Sequence, residues 1–190
     1  MFFYKHTNKK PLKGFTTIEM LVSLAIVAII SSLVVNFSKI SQYQSELQAQ
    51  GDLIVNDLKR AQDNSYLANE YLTQSGKGVI PCGYGIRFFS DQDRYELVVN
   101  LNTSDCSNVC SDLPLAFNLP ENKKVLKPIF DLNLQQTFNS IVFLPPQGEA
   151  VFCNGSAPAS FQEGVITLQI KNDPNNKLEI KVNSFGGISF

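Results

Sequence analysis

The sequence predicts an α+β protein: one long N-terminal helix, part membrane-embedded and part amphipathic, packed against an antiparallel β-sheet domain. Three observations carry this. Residues 20–35 are uncharged and, serines apart, apolar, and Glu19 is the one charge between Phe15 and Phe37. Leu47, Gly51, Ile54, Leu58, Ala61, Ser65 and Ala68 then recur at spacings of three and four, with no proline between Phe15 and Leu72. That is one stripe of an amphipathic helix. Beyond Gly76, Gly78 and Pro81 the pattern changes to short alternating runs separated by turns.

The length of 190 residues suits one domain plus an anchor, and a hydrophobic content of 44% is enough for a core. Residues 1–14 read as a polar, basic leader that holds Lys5, Lys9, Lys10 and Lys13 and no Asp or Glu. Taking those four lysines from the 16 basic side chains leaves 12 against 17 acidic ones, so the formal charge of −1 becomes −5 without the leader. Such a chain lacks the basic footprint of a nucleic-acid binder. The lysines also set orientation: residues 1–14 stay cytoplasmic and the chain beyond about residue 37 is exported.

Residues 15–37 form the transmembrane part of the helix. They number 23, against the roughly 20 residues that cross a hydrocarbon core of about 30 Å. Ser23, Ala25, Ala28, Ser31 and Ser32 permit close approach of neighbouring helices. Glu19 is the exception in this segment. A carboxylate near the end of a membrane helix is costly, which makes it a functional candidate in need of a partner. Residues 38–72 form the exported amphipathic part, with Asp52, Asn56, Asp57, Lys59, Arg60 and Asp63 mostly on the other faces. The helix is expected to end near residue 70.

Residues 73–190 form an extracytoplasmic β-rich domain. Runs 84–89 and 95–100 flank Ser90-Asp91-Gln92-Asp93 as a hairpin, in which the two aspartates are loop formers. Residues 102–124, rich in Asn, Ser, Asp and Pro, read as a long loop. Run 140–144 is closed by Pro145-Pro146. Runs 165–171 and 178–182 alternate apolar and polar residues, one face each way, around a turn at 172–176.

No catalytic constellation is visible, and no cofactor or metal site is expected. The single histidine, His6, lies in the leader, which removes histidine-based triads and metal clusters from the exported part. Cys82, Cys106, Cys110 and Cys153 are all exported, where disulfides are favoured over a four-thiolate metal site. Four cysteines allow three pairings. Cys106–Cys110 closing the loop, with Cys82–Cys153 joining strand ends, is one arrangement among the three.

The stretch Gly14-Phe15-Thr16-Thr17-Ile18-Glu19-Met20-Leu21-Val22 combines leader glycine, aromatic, glutamate and apolar run in register. It resembles the class III signal of type IV pilins and type II secretion pseudopilins. Asp57-Leu58-Lys59-Arg60-Ala61-Gln62, Gly83-Tyr84-Gly85-Ile86 before Tyr95-Glu96-Leu97, Val142-Phe143-Leu144-Pro145-Pro146-Gln147-Gly148 and the closing hairpin at 180–188 with Gly186-Gly187 are similar to the H-type minor pseudopilin (GspH/FimT-like) group. The resemblance implies a pilin-like fold. It also implies cleavage between Gly14 and Phe15 by a prepilin peptidase, N-methylation of Phe15, and assembly through Glu19. The partners implied are that peptidase/N-methyltransferase, other pilin or pseudopilin subunits and an inner-membrane assembly platform. The implied location is the inner membrane, single-pass, then a pilus or pseudopilus. On this reading the chain is an enzyme's substrate with no activity of its own. The competing readings are a subunit at the filament tip that binds a surface, a secreted protein or DNA, and a signal-anchored enzyme. The charge of −5 disfavours DNA, and the missing catalytic residues disfavour the enzyme.

Overall fold

A computed structural model of the chain describes residues 15–68, 70–72, 76–101, 106–110, 123–134, 137–171 and 173–190. The leader with Gly14 lies outside the described residues, as does most of the expected loop at 102–124. The chain forms two compact units, Met1–Gln42 and Tyr43–Phe190. The helix α1, Thr17–Tyr66, contributes residues to both.

In the first unit α1 presents apolar side chains on every side over residues 17–34. Thirteen large apolar side chains from Phe15 to Phe37 are 51–77% exposed. Length and composition suffice for this helix to cross a membrane. In the second unit the sequence stripe is the buried stripe: Leu47, Gly51, Ile54, Leu58, Ala61 and Ser65 are buried, and Val55 joins them. Asp52, Asn56, Lys59, Arg60 and Asp63 are exposed.

The expected end of the helix near residue 70, and the segment boundary at 72, are corrected. α1 stops at Tyr66 because Ala68 takes a left-handed φ of +46°, a conformation that breaks helical propagation. Tyr71–Leu72 is already strand β1, with the Tyr71 ring in the core. The last helical turns are tied down by side chains. Ser65 Oγ donates to the Phe143 carbonyl at 2.9 Å, and Gln62 Nε2 donates to the Gly186 carbonyl at 2.9 Å.

Twelve strands follow one another among the described residues. After β1 come β2 (Gly78–Val79), β3 (Gly83–Phe89), β4 (Arg94–Asn100), β5 (Lys123–Val125), β6 (Phe130–Leu134), β7 (Ser140–Leu144) and β8 (Glu149–Asn154). They are completed by β9 (Ala157–Ala159), β10 (Glu163–Ile170), β11 (Asp173–Asn183) and β12 (Ile188–Ser189). β1 pairs with β2. The order β5-β4-β3-β7-β8-β9 makes a six-stranded sheet and β12-β11-β10-β6 a four-stranded one, with antiparallel pairing throughout.

The expected hairpin at 84–100 is β3–β4, with Asp93 in a left-handed conformation after a single 3-10 turn, Ser90–Gln92. The expected turn at 172–176 is shorter than the polar sequence suggests. β11 begins at Asp173, opposite Ile170, and the register shifts to Gln169↔Lys177, so that 174–176 bulge from the ladder.

One core joins helix and sheets. Ile54 and Leu58 of α1, Ile86, Tyr95, Ile141, Phe143 and Phe152 of the six-stranded sheet, and Phe130, Leu132, Ile166, Leu168 and Ile180 of the four-stranded sheet are all buried together. Asp93 clasps the two sheets. Its Oδ1 accepts the Leu132 N–H at 3.1 Å and its Oδ2 meets Lys171 Nζ at 2.8 Å, while Asp131 lies 3.4 Å from the same ammonium. The hydrogen bond that Lys171 donates to Asp93 holds its ammonium above its ordinary pKa.

A second, smaller buried cluster is made by the alternate residues of the six-stranded sheet. Val98 of β4, Val142 of β7 and Cys153 of β8 gather with Cys82, Val109 and Cys110. Their neighbours Leu97, Val99, Ile141, Phe143 and Phe152 belong to the main core, so period-two alternation places the small cluster on the sheet's other face.

Candidate functional site

The start of α1 is built by Thr16. Its carbonyl accepts the first helical bond, from the Met20 N–H at 3.1 Å, and its Oγ1 accepts the Glu19 N–H at 3.3 Å. Thr16 is therefore the N-cap, and Glu19 stands at the third helical position. Thr16-x-x-Glu19 has the spacing of a capping box, in which such a glutamate sits among the unsatisfied N–H groups at the positive end of the helix. The sequence carries the signal for this cap in the Thr16-x-x-Glu19 spacing, which the charge of Glu19 alone does not reveal.

Glu19 is exposed, and so is Phe15, at 77%. Phe15 precedes the N-cap and is not helical. The four-residue spacing of Phe15 and Glu19 therefore does not place them on one helix face in this chain. Behind Glu19, Ser23 Oγ donates to the Glu19 carbonyl and Ser32 Oγ to the Ile29 carbonyl, both at 2.8 Å. Hydroxyls satisfied inside their own helix can face an apolar surrounding at little cost. The result is that residues 17–34 of α1 are apolar all round, with a single carboxylate in the first turn. Its chemical capability is association: it can sit in lipid or among other helices, where an unpaired carboxylate demands a cation.

The structure brings the four cysteines together as Cys82–Cys106 and Cys110–Cys153, spanning 24 and 43 residues. The arrangement Cys106–Cys110 with Cys82–Cys153 is thus corrected. Cys110 turns onto the outer face of the six-stranded sheet and meets Cys153 of β8, whereas Cys106, in the short 3-10 turn Cys106–Asn108, reaches the chain just before β3. Asn100, fully buried at the end of β4, fixes this placement. Its Nδ2 donates to the Val109 carbonyl at 2.8 Å and to the Asn108 carbonyl at 3.4 Å, and its own carbonyl accepts the Cys82 N–H at 2.9 Å. With every cysteine oxidised, the four-thiolate metal site has no ligands.

No protein-family model matches the sequence, and no curated protein does. Among solved structures the chain is similar to the minor pseudopilin EpsH from the type 2 secretion system of Vibrio cholerae. The TM-score is 0.51 at 14% sequence identity, covering 76% of this chain and 94% of that one. A likeness at this identity is one of architecture. The chain thus has the α+β, pilin-like fold of a minor pseudopilin, with one long N-terminal helix whose amphipathic residues pack on antiparallel sheets.

Proposed function

We propose that the chain is a minor pilin or pseudopilin, a structural subunit of a type IV pilus or type II secretion pseudopilus. A prepilin peptidase cleaves it between Gly14 and Phe15 and methylates the Phe15 amine. Residues 15–37 hold it in the inner membrane, N-terminus cytoplasmic and β-domain exported, until it joins other subunits through this helix at an inner-membrane platform. The observation that carries this reading is the contrast along α1. Apolar residues of the 47–65 stripe are buried within the chain, whereas among the described residues thirteen large apolar side chains from Phe15 to Phe37 stay 51–77% exposed. The shared fold with a minor pseudopilin supports it.

Cleavage creates an amine at Phe15, with an ordinary pKa of about 8, that is largely cationic at neutral pH. Phe15 stands outside the helix and Glu19 inside its first turn, so the amine of a neighbouring subunit is a natural partner for the Glu19 carboxylate. Pairing across subunits sets axial register, because a misplaced subunit would bury both charges alone. The experiment is Glu19→Ala in the native host, comparing cleaved protein in membranes with protein in sheared filaments. Normal cleavage with incorporation well below wild type supports the reading, and incorporation at the wild-type level overturns the pairing. Glu19→Asp, with its shorter arm, should fall between.

A further inference from the structure

The two disulfides differ in a way that the filament reading does not use. Cys110 and Cys153 are 3% and 0% exposed, so both ends of that bond are sealed in the small outer-face cluster. Cys82 is also buried, at 2%, but its partner Cys106 is exposed. Thiol–disulfide exchange proceeds by a thiolate attacking one sulfur, and access decides which sulfur is attacked. Of the four cysteines, Cys106 alone is open to solvent.

Opening that bond does not dissolve the structure around it. Asn108 and Val109 are held by the buried Asn100 amide, and Cys110 by its own bond to Cys153. The Cys82 N–H is likewise held by the Asn100 carbonyl at 2.9 Å. Among the described residues, release is confined to the start of the 3-10 turn, at Cys106.

We propose that Cys82–Cys106 is an addressable exchange site for an exported dithiol of the oxidoreductase class, and that Cys110–Cys153 is an inert staple. The site would act as a latch on the start of the 3-10 turn at Cys106. The incoming thiolate forms a bond to Cys106 Sγ, the Cys82–Cys106 bond breaks, and Cys82 leaves as a thiolate that takes up a proton. The second thiol of the dithiol then attacks the mixed disulfide and releases Cys106 as a thiol. The dithiol ends oxidised to a disulfide, and the Cys82/Cys106 pair ends reduced by the same two electrons. Run in reverse, the same steps close the latch after export.

The test uses the full chain in detergent, without denaturant. Timed exposure to dithiothreitol is followed by alkylation and peptide mapping. The expected result is a species alkylated at Cys82 and Cys106 with Cys110–Cys153 intact, formed at least about tenfold faster than the fully reduced chain. Reduced glutathione, a monothiol, should leave its mixed disulfide on Cys106. Opening of Cys110–Cys153 first, loss of both bonds together, or glutathione found on Cys82 would each overturn the proposal. The Cys82→Ser/Cys106→Ser variant gives a second reading. It should keep Cys110–Cys153 oxidised and as slow to reduce as in the wild type, and rapid reduction of that bond in the variant contradicts the staple. None of these outcomes depends on whether the chain enters a filament.

Discussion

Replacing Gly85 with alanine should destabilise the β-domain far more than its conservative appearance suggests. Gly85 lies in β3, at the centre of the six-stranded sheet, opposite Val142 of β7. A Cβ at this position would overlap the Ile141 carbonyl oxygen and stand 2.9 Å from Val142 Cα and 3.0 Å from the Ile141 carbonyl carbon. All three are backbone atoms of a paired strand, so no rotamer change relieves them. β3 must move off β7, taking its ladder bonds beyond the usual N···O range of about 2.7–3.2 Å. Losing two buried backbone hydrogen bonds costs about 1–3 kcal/mol each. Stiffening the unfolded chain returns only about 0.4–1 kcal/mol. The net loss is about 1–6 kcal/mol, a large share of the roughly 5–15 kcal/mol of a typical domain.

Gly78→Ala is the control. Its nearest atom is also close, Glu70 Oε2 at 2.6 Å, but it is the end of a flexible side chain that can swing away, so that cost should stay below about 1 kcal/mol. Denaturant melts of both variants, followed by near-ultraviolet circular dichroism on the full chain in detergent, give the comparison. A Gly85→Ala midpoint indistinguishable from that of Gly78→Ala would refute the close-approach argument.

Two further outcomes follow from the polar contacts. Tyr95 Oη donates to Asp57 Oδ2 at 2.8 Å, and burial, reinforced by the Asp57 charge, raises the hydroxyl far above its ordinary pKa, so it remains a donor. Tyr95→Phe removes the donor from a half-buried carboxylate and should cost about 1–3 kcal/mol in a chemical melt; an unchanged midpoint would show that water replaces it. Glu179 accepts from Lys177 Nζ at 2.7 Å, and that bond, with the lysine's charge, holds its carboxyl below the ordinary value of 4.5. A depressed carboxyl stabilises the fold above its unfolded pKa and loses that contribution as pH falls through its folded one. Glu179→Gln should therefore be less stable than wild type at pH 7, with the gap closing as pH drops below about 4.5; a gap that persists in acid contradicts the ion-pair origin.

The parts of the fold legible in the sequence are those with a single strong period. The stripe from Leu47 to Ser65 has one buried face, and the β3–β4 hairpin has turn residues in the right place. Other strands were hidden for physical reasons. In β8, Ala150 and Phe152 face the main core while Cys153 faces the small one, so both faces are apolar and the alternation that marks a strand disappears. The first residues of β11 are Asp-Pro-Asn-Asn, which reads as a turn, and only the register shift beside Ile170 makes them strand. The helix end at Tyr66 depends on a left-handed alanine that composition does not announce. Disulfide pairing was out of reach because it depends on which face of the sheet Cys110 covers, a tertiary fact set by Asn100. Of the proposed assembly site, Phe15 and Glu19 could be read from the sequence. Thr16 could have been, since the capping spacing was in plain view.

The mature N-terminus tests the central claim most directly. Protein recovered from filaments sheared from the native host, digested and sequenced by mass spectrometry, should begin at Phe15 with a methylated amine. An intact Met1, or a first residue other than Phe15, would contradict the account of a processed subunit assembled through its N-terminal helix.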